Sequence, residues 1–242
     1  MSKLVQPHGG GSLAPRLVGE AEREAALARA AGLRAVPLSS RETSDLVMLA
    51  MGAYTPLAGF MGHDDWHRVC TEMKLASGLF WPIPITLSCT QDLADSIADG
   101  EEVALTDEES GRVMALMTVG EKYAIDRHLE CSTVFRTTDG DHPGVAKVMT
   151  QGAVNLAGPV KVLGEGSYRV DYEGLYLRPA ETRALFTERG WRISVLSSSV
   201  SSSSLIRGCA GYSSSPFSSS ACCTNQSSRI RHELAAVYAG EA

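Results

Sequence analysis

The stretch EVALTDEESGRVMALMTV, Glu102–Val119, decides the fold class. Two mostly apolar runs, Glu102–Thr106 and Arg112–Val119, flank the polar loop DEESG, which is typical of two strands joined as a hairpin. A further apolar run, VNLAGPVKVL at Val154–Leu163, is also strand-like. These segments together predict a sheet of short strands.

The stretch FWPIPITLS, Phe80–Ser88, adds a weaker strand signal. Pro82 and Pro84 lack the amide hydrogen that a strand ladder needs, so this segment is predicted as an edge or irregular strand. Helices are predicted between these segments, at Gly19–Ala31, Ser39–Met51, His63–Met73, Asp126–Phe135 and Pro179–Arg189, with another beginning at Pro143. Short strands mixed with short helices over residues 1–175 indicate an α+β domain built around a small barrel.

Two of these helices carry strong local signals. Ser39 and Glu42 have capping-box spacing at the start of the second helix, and Gly52 ends it. In His63–Met73, apolar side chains recur with helical spacing and are predicted on one face: Trp66, Val69, Cys70 and Met73.

Composition excludes several functional classes. The net charge of −6 over 242 residues gives no basic face for nucleic acid, so no nucleic-acid partner is expected. Apolar runs are too short to span a membrane, and the N-terminus MSKLVQPHGGGSLAPRL lacks the apolar core of a signal peptide. A cytoplasmic protein without a membrane partner is therefore expected. The single, scattered Cys70, Cys89 and Cys131 are predicted to be buried, reduced thiols.

Two motifs suggest ligand sites, and each has a simpler interpretation. His63 and His67 have metal-ligand spacing on a helix, with Asp64 and Asp65 between them, but a polar outer face explains them equally simply and is favoured. The glycines of Gly9–Ser12 suggest a phosphate loop. Since no strand precedes them and no Gly-Lys-Ser/Thr follows, a turn-forming N-terminus is favoured.

Three further groups are interpreted as structural. Asp139, Asp141 and His142 are expected to form a turn and a helix cap before Pro143. The serine run has no paired base and acid, so no nucleophile is assigned to it. Arg178 and Arg183 are expected to pair with Glu181 or with neighbouring acids. No catalytic, cofactor-binding or metal-binding residue is therefore predicted in this chain.

Six segments resemble ATP sulfurylase (sulfate adenylyltransferase) of the bacterial type, in the order and roughly the spacing of that family. They are Pro7–Gly10 (PHGG), Gly52–Met61 (GAYTPLAGFM), Gly78–Ser88 (GLFWPIPITLS), Thr137–Val145 (TTDGDHPGV), Gly158–Leu163 (GPVKVL) and Arg178–Trp191 (RPAETRALFTERGW). The resemblance covers residues 1–193. It implies a PUA-like β-barrel domain over 1–175, followed over 176–193 by the start of an α/β nucleotidyltransferase domain.

The resemblance also implies a reaction. In the intact family, an oxygen of sulfate attacks the α-phosphorus of MgATP, pyrophosphate leaves and adenylyl sulfate forms, as in sulfate assimilation. The family holds these anions with a Gln-x-Arg-Asn-Pro-x-His-x-x-His segment and a later Gly-Arg-Asp-His segment, because two anions must be neutralised and aligned. Sulfate and ATP are thus the family's ligands, and a homo-oligomer is possible.

The chain departs from this pattern after Ile193. Of the 35 residues in Ser194–Ser228, 16 are serine and only Arg207 is charged. Neither catalytic segment of the family occurs, so this copy is expected to bind no MgATP and to be inactive. Disorder is predicted for Ser194–Ser228, either as a natural linker or, the favoured interpretation, as a frame-disrupted catalytic region. Arg229–Ala242 regains a helical pattern.

The sequence is therefore interpreted as a truncated ATP sulfurylase that keeps its PUA-like domain and lacks the active site. A non-catalytic binding or scaffold module is the alternative, with RNA or an intact sulfurylase subunit as its partner. PUA-like domains elsewhere bind RNA, but that argument rests on fold analogy, and the acidic charge opposes it.

Overall fold

The computed structural model of the protein describes residues 4–191, 194–196 and 206–208. The helices are α1 (Glu20–Ala30), α2 (Ser40–Met51), α3 (His63–Glu72), α4 (Gln91–Ser96), α5 (Arg127–Glu130), α6 (Pro143–Thr150), α7 (Tyr168–Asp171) and α8 (Pro179–Glu188). The strands are β1 (Arg34–Leu38), β2 (Gly59–Phe60), β3 (Leu87–Cys89), β4 (Glu102–Asp107), β5 (Val113–Thr118), β6 (Glu121–Ala124), β7 (Val154–Val162), β8 (Ser194–Leu196) and β9 (Ile206–Gly208). A π-helical turn, Cys131–Phe135, follows α5 directly.

Strand β7 is the central strand of the main sheet. Its first half, Val154–Leu156, pairs antiparallel with β3 on one side and with β6 on the other. Its second half pairs antiparallel with β2 through Gly158 and Pro159, and with β5 through Val160–Val162. Strand β5 continues antiparallel to β4, and β4 pairs in parallel with β1. The result is a mixed half-barrel with the strand order β1-β4-β5-β7-β2.

The predicted hairpin is confirmed. Strands β4 and β5 pair from Glu102 opposite Thr118 to Thr106 opposite Val113. The loop between them closes through a hydrogen bond of 2.8 Å from the Gly111 amide to the carbonyl of Asp107. This pairing places alternate side chains of β4 on opposite faces of the sheet.

Both faces of this sheet are covered. The core inside the half-barrel contains Val36, Leu38, Leu46, Leu49, Leu87, Val103, Leu105, Leu156 and Val162, all fully or almost fully buried. On the other face, Ala26 and Ala30 of α1 pack against Ala104, Leu116 and Leu163. The small alanine side chains let α1 approach the sheet closely, which explains why this helix is rich in alanine.

The predicted caps are confirmed. Ser39 and Glu42 form the capping box of α2, and Gly52 ends that helix with φ +80°. The Asp126 carboxylate accepts the Leu129 amide at 2.9 Å at the start of α5. Cys70, Cys89 and Cys131 are buried free thiols, as predicted.

The structure corrects two details. Met73 lies past the end of α3, adopts φ 54° and is exposed, so it does not join the buried face of Trp66, Val69 and Cys70. The Phe80–Ser88 segment is irregular until β3 begins at Leu87, apart from an isolated bridge between Phe80 and Lys74. Its prolines, which cannot donate to a ladder, explain that irregularity.

The chain divides into two units. One unit is Val5–Thr182 and contains the half-barrel; the other takes Leu4 and the described residues from Arg183 onward. In the second unit, β8 and β9 pair antiparallel, with Ser194 opposite Gly208. The remainder of the Ser194–Ser228 segment, predicted to be disordered, and the predicted helix at Arg229–Ala242 lie outside the described residues. No helix in the described part of the chain has the length and apolar character needed to cross a membrane.

Candidate functional site

Three of the family-like segments meet at one place in the half-barrel unit. The His8 Nε2 atom donates to the carbonyl of Phe80 at 2.7 Å, because a carbonyl can only accept. The centroids of the His8 and Trp81 rings are 5.9 Å apart. The Tyr54 ring packs edge-on against Trp81, with 5.8 Å between the ring centroids. We call His8, Tyr54 and Trp81 the aromatic cluster. It joins the segments Pro7–Gly10, Gly52–Met61 and Gly78–Ser88.

A buried network of acids lies beneath the aromatic cluster. The Tyr54 hydroxyl donates to Asp45 Oδ1 at 3.0 Å, and Arg41 lies 3.6 Å from the carboxylates of both Glu42 and Asp45. Burial raises the pKa of Asp45 to about 6, although Arg41 and the Tyr54 hydroxyl oppose that shift. Burial, followed by the charge of Asp45, also raises the pKa of Tyr54.

The aromatic cluster has the geometry of a packing element rather than a catalytic one. His8 uses its Nε2 proton on a backbone carbonyl, and the Trp81 indole nitrogen is buried without a hydrogen-bond partner. Glu42 accepts from the amide and hydroxyl of Ser88 at 2.8 and 3.0 Å. Its other oxygen accepts from the amide and hydroxyl of Ser39. These fixed bonds hold the strands and α2 together and leave no base beside a nucleophile.

A cleft of about 350 Å³ lies elsewhere in the same unit, between the β4–β5 loop and the start of α7. Asp107, on its wall, accepts from the Thr43 hydroxyl at 3.0 Å and from the Ser110 hydroxyl at 2.6 Å. The Ser110 hydroxyl holds the pKa of Asp107 below its usual value. Because Asp107 is ionised and fully engaged, it tightens the β4–β5 loop rather than presenting a free base. The wall comprises Ser40, Thr43, Asp107, Glu109, Ser110, Arg112, Met114, Gly166, Ser167 and Tyr168.

The two histidines with metal spacing are not brought together as ligands. The rings of His63 and His67 stack 6.1 Å apart, and His63 also contacts the Tyr123 ring edge-on at 5.4 Å. The acids between them are engaged elsewhere: Asp64 pairs with Arg68 at 3.1 Å, and Asp65 accepts the amide of Ala76 at 2.7 Å. Within the described residues, no group of three His, Cys, Asp or Glu side chains is placed to hold a metal ion.

The N-terminal glycines form a turn, as favoured from the sequence. The Gly10 amide donates to the carbonyl of Pro7 at 2.8 Å, and the residues Gly9–Ser12 are exposed. From Leu4, where the described residues begin, no strand precedes this turn and no helix directly follows it, so it lacks the setting of a phosphate loop.

Asp139, Asp141 and His142 form the predicted turn and cap. The Asp139 carboxylate accepts the Asp141 amide at 3.0 Å, and the Asp139 carbonyl accepts the His142 amide at 3.1 Å. His142 Nδ1 then accepts the amides of Gly144 and Val145 at the start of α6. The Asp139 carboxylate and the His142 ring thereby stabilise the backbone of the turn and of the helix start.

Arg178 pairs with an acid that the sequence did not single out. Its guanidinium binds Glu165 with two short contacts, 2.6 Å from Nη2 and 2.9 Å from Nε, and Glu165 is only 8% exposed. The Tyr176 hydroxyl donates to the same carboxylate at 3.1 Å. Glu181 instead accepts the Arg178 amide and pairs with Arg169. The structural role expected for Arg178 is thus confirmed, with Glu165 as its partner.

The serine run, for which no nucleophile was predicted, lies almost wholly outside the described residues.

Sequence reasoning missed three buried acids: Asp45, Glu130 and Glu165. Glu130 is buried and accepts from the Trp66 indole nitrogen at 2.7 Å, and burial raises its pKa. Glu165 lies between the half-barrel and α7. The N–H of a buried tryptophan usually has an acceptor, although that of Trp81 has none, so Trp66 was the one available signal for Glu130. Glu165 had no local signal, because its partners Tyr176 and Arg178 lie 11 and 13 residues away.

The half-barrel and its cover of short helices define the class of protein. Residues 5–165 match the family model described as a PUA-like domain, and the chain belongs to that family.

Comparison with known sequences narrows the resemblance. The chain is 53% identical over 189 residues to the sulfate adenylyltransferase of Chlorobium chlorochromatii (strain CaD3), with 78% of this chain and 47% of that protein covered. It is 54% identical over 191 residues to the sulfate adenylyltransferase of Thiobacillus denitrificans (strain ATCC 25259 / T1), with 79% and 47% covered. The chain therefore spans about half the length of these relatives, and its resemblance to ATP sulfurylase is confirmed.

A solved structure shares the fold. The structure titled as a hexameric APS kinase from Thiobacillus denitrificans superposes with a TM-score of 0.60 at 32% identity. The superposition covers 78% of this chain and 33% of that chain.

Proposed function

We propose that this chain supplies the non-catalytic, PUA-like half of a sulfate adenylyltransferase and does not make adenylyl sulfate by itself. The proposal rests on how far the sequence similarity to sulfate adenylyltransferases extends. Identity of 53–54% extends over about 190 residues, yet this covers only 47% of the relatives' length. Residues 1–175 would form the PUA-like domain, and residues 176–193 would begin the nucleotidyltransferase domain.

The chemistry expected of the family supports this division. Bringing ATP and sulfate together requires fixed cationic and hydrogen-bonding groups that offset the repulsion between two anions. The sequence lacks both anion-binding segments that the resemblance implies. In the described half-barrel unit, the histidines and carboxylates considered above cap helices, pair with arginines or pack against aromatic rings. We therefore propose no catalytic residue in this chain and no tight binding of MgATP.

The test is pyrophosphate release from ATP in the presence of sulfate and Mg²⁺. Loss of one preorganised donor typically costs about 10²–10³ in rate, so loss of the whole set should leave turnover below about 1% of an intact enzyme. The Thiobacillus denitrificans sulfate adenylyltransferase, assayed in parallel, is the positive control. A mock purification from the expression host measures contaminating enzyme. Sulfate-dependent turnover within about a hundredfold of the positive control would overturn the proposal.

A second candidate function is that of a scaffold subunit that associates with sulfate adenylyltransferase polypeptides. It is favoured by a stretch of exposed apolar side chains at Tyr168–Leu177, described below. The hexameric state named for the APS kinase neighbour also makes assembly of related chains a reasonable expectation. RNA binding, the other alternative, has no comparable observation in its favour.

A further inference from the structure

Exposed apolar side chains are concentrated in one short stretch of the half-barrel unit. Among the described residues, twelve large apolar side chains are exposed, and five of them fall within ten consecutive residues. Val170 is 79% exposed and the others 37–57%. Single exposed apolar side chains are ordinary, whereas several within one short segment mark a candidate interaction surface. We call this group the Tyr168–Leu177 patch; its members are Tyr168, Val170, Tyr172, Leu175 and Leu177.

The patch is held to Glu165 at its C-terminal end, and a hydrogen bond within the segment stabilises its N-terminal end. On its C-terminal side, Tyr176 and Arg178 both bind the buried carboxylate of Glu165. On its N-terminal side, Ser167 donates to Asp171 across α7. The segment therefore presents its apolar side chains from a fixed backbone, and little conformational entropy is lost when a partner binds.

Two charged residues of the segment, Arg169 and Asp171, have partners, whereas Glu173 is exposed and has no hydrogen bond or ion pair among the described residues. Arg169 pairs with Glu181 at 3.1 Å, and Asp171 accepts the Ser167 hydroxyl. A partner that covers the apolar side chains can leave the contacts of Arg169 and Asp171 in place, while the Glu173 carboxylate needs a cationic or hydrogen-bonding group of the partner, or water at the rim of the contact. This arrangement fits a protein surface more closely than a charged small molecule or nucleic acid.

We infer that the Tyr168–Leu177 patch is the docking surface for the half of a sulfate adenylyltransferase that this chain does not match. The inference rests on the proposed function. Similarity to the relatives covers about 190 residues, so it extends little beyond the patch, and the relatives are about twice that long. In such a protein the remaining half is tethered beside the patch and present at high effective concentration. Its contact would cover an apolar surface that this chain leaves exposed to water.

The binding test uses the full chain and a separately produced polypeptide comprising the half of the Thiobacillus denitrificans enzyme that the chain does not match. Isothermal titration calorimetry measures the affinity of the wild-type chain and of the double variant Val170→Asp/Leu175→Asp. Charges placed in a desolvated contact should weaken binding at least about 30-fold, since one buried anchor alone accounts for about tenfold or more. The matched control, Met73→Asp/Ile83→Asp, alters two other exposed apolar side chains and should change Kd less than about threefold.

A chimera removes dependence on the isolated half folding alone. In it, the same half of the Thiobacillus denitrificans enzyme is joined after Trp191 of this chain. Hydrogen exchange across Tyr168–Leu177 should slow at least about tenfold relative to the natural chain, and Val170→Asp/Leu175→Asp in the chimera should abolish that protection. Sulfate-dependent pyrophosphate release by the chimera independently tests the proposed function.

The outcomes separate the two proposals. Equal effects of the two double variants, or no protection of the patch in the chimera, would overturn the docking surface and leave the proposed function intact. Sulfate-dependent turnover by the natural chain alone would overturn the proposed function. If sedimentation shows a dimer of the natural chain that Val170→Asp/Leu175→Asp dissociates, a second copy is the occupant and the docking inference is wrong.

Discussion

Buried carboxylates in the half-barrel unit differ in how many donors they receive. Glu42 accepts from two amides and two hydroxyls, whereas Glu165 depends on Arg178 and Tyr176. A buried carboxylate left without donors costs several kcal/mol, so the importance of each partner depends on what remains when it is removed. Of these two acids, Glu165 is therefore the more sensitive to a single substitution, and Arg178 is its main partner.

Replacing Arg178 should destabilise the protein far more than replacing an exposed arginine nearby. Arg178→Ala leaves buried Glu165 with Tyr176 alone, and we expect a loss of about 2–3 kcal/mol in the free energy of unfolding, because the guanidinium is one-third exposed. Arg169→Ala breaks a more exposed pair with Glu181 and should cost less than about 1 kcal/mol. Urea denaturation of both variants measures the difference; equal losses would contradict it.

Asp45 should make stability depend on pH in a defined direction. Burial raises its pKa from 3.8 to about 6, so the folded protein holds this proton more tightly than the unfolded chain does. The stabilisation is fully present below about pH 4 and is lost as pH rises through about 6. Asp45→Asn keeps a neutral acceptor for Tyr54 and does not titrate. The free energy of unfolding of Asp45→Asn minus that of the wild type should therefore increase by roughly 3 kcal/mol as the pH rises from about 4 to about 7, at about 1.36 kcal/mol per pKa unit.

Urea denaturation at pH 4, 5, 6 and 7 measures this change. The matched control is Asp64→Asn, whose carboxylate is mostly exposed in its pair with Arg68, so its difference from the wild type should vary little over the same range. A pH-independent difference between Asp45→Asn and the wild type would contradict the assignment.

Elements with local signals were predictable, and elements defined by distant pairing were not. The α2 capping box, the β4–β5 hairpin and β7 all follow from patterns within one segment. Strand β1 was missed because Pro37 interrupts its pattern; it is a strand because β4 pairs with it in parallel. The aromatic cluster could not be predicted either, because His8, Tyr54 and Trp81 come from segments far apart in sequence. Such contacts are set by packing rather than by any local period.

Strand β2 exists only because glycine allows close approach of two backbones. A Cβ on Gly59 would overlap the carbonyl oxygen of Gly158 and lie 2.9 Å from the Pro159 Cα. Gly59→Ala should therefore force β2 away from β7 and cost about 1–3 kcal/mol in the free energy of unfolding. Gly140→Ala is the matched control, because a Cβ there meets no atom within 4 Å. Its effect should stay within about 0.5 kcal/mol.

Hydrogen exchange gives a second, local measure of the same prediction. The Val160 amide donates to the Ala58 carbonyl at 3.0 Å, directly beside the β2–β7 contact. In Gly59→Ala this amide should exchange faster than in the wild type, while Gly140→Ala should leave it unchanged. Unchanged Val160 exchange in Gly59→Ala would show that β7 tolerates the added methyl group.

At the scale of the whole molecule, the family match and the structure give similar limits. The PUA-like match spans residues 5–165, and the half-barrel unit extends to Thr182. Residues 166–182 lie between these two limits, and they include the segment that Glu165 fixes through Tyr176 and Arg178. That segment carries the exposed apolar patch, so the same ion pair that completes the half-barrel unit also holds its proposed docking surface in place.

Limited proteolysis should show how far this cooperative unit extends. Brief trypsin digestion should yield a fragment that retains Val5–Thr182, because the backbone of this unit is held by the sheet, the helix caps and the Glu165 ion pair. Intact mass measurement locates its ends. A first cut at Arg112, in the β4–β5 loop, would contradict a single unit.

The Arg178→Ala variant supplies the control for this experiment. Without the Arg178 guanidinium, Glu165 no longer fixes the segment that contains Arg169, and local opening there should expose the chain to trypsin. The fragment should then end at Arg169, whereas the wild-type fragment ends beyond Thr182. Cleavage at Arg169 at equal rates in the two proteins would show that the ion pair does not hold this segment, and the Tyr168–Leu177 patch would lose its fixed backbone.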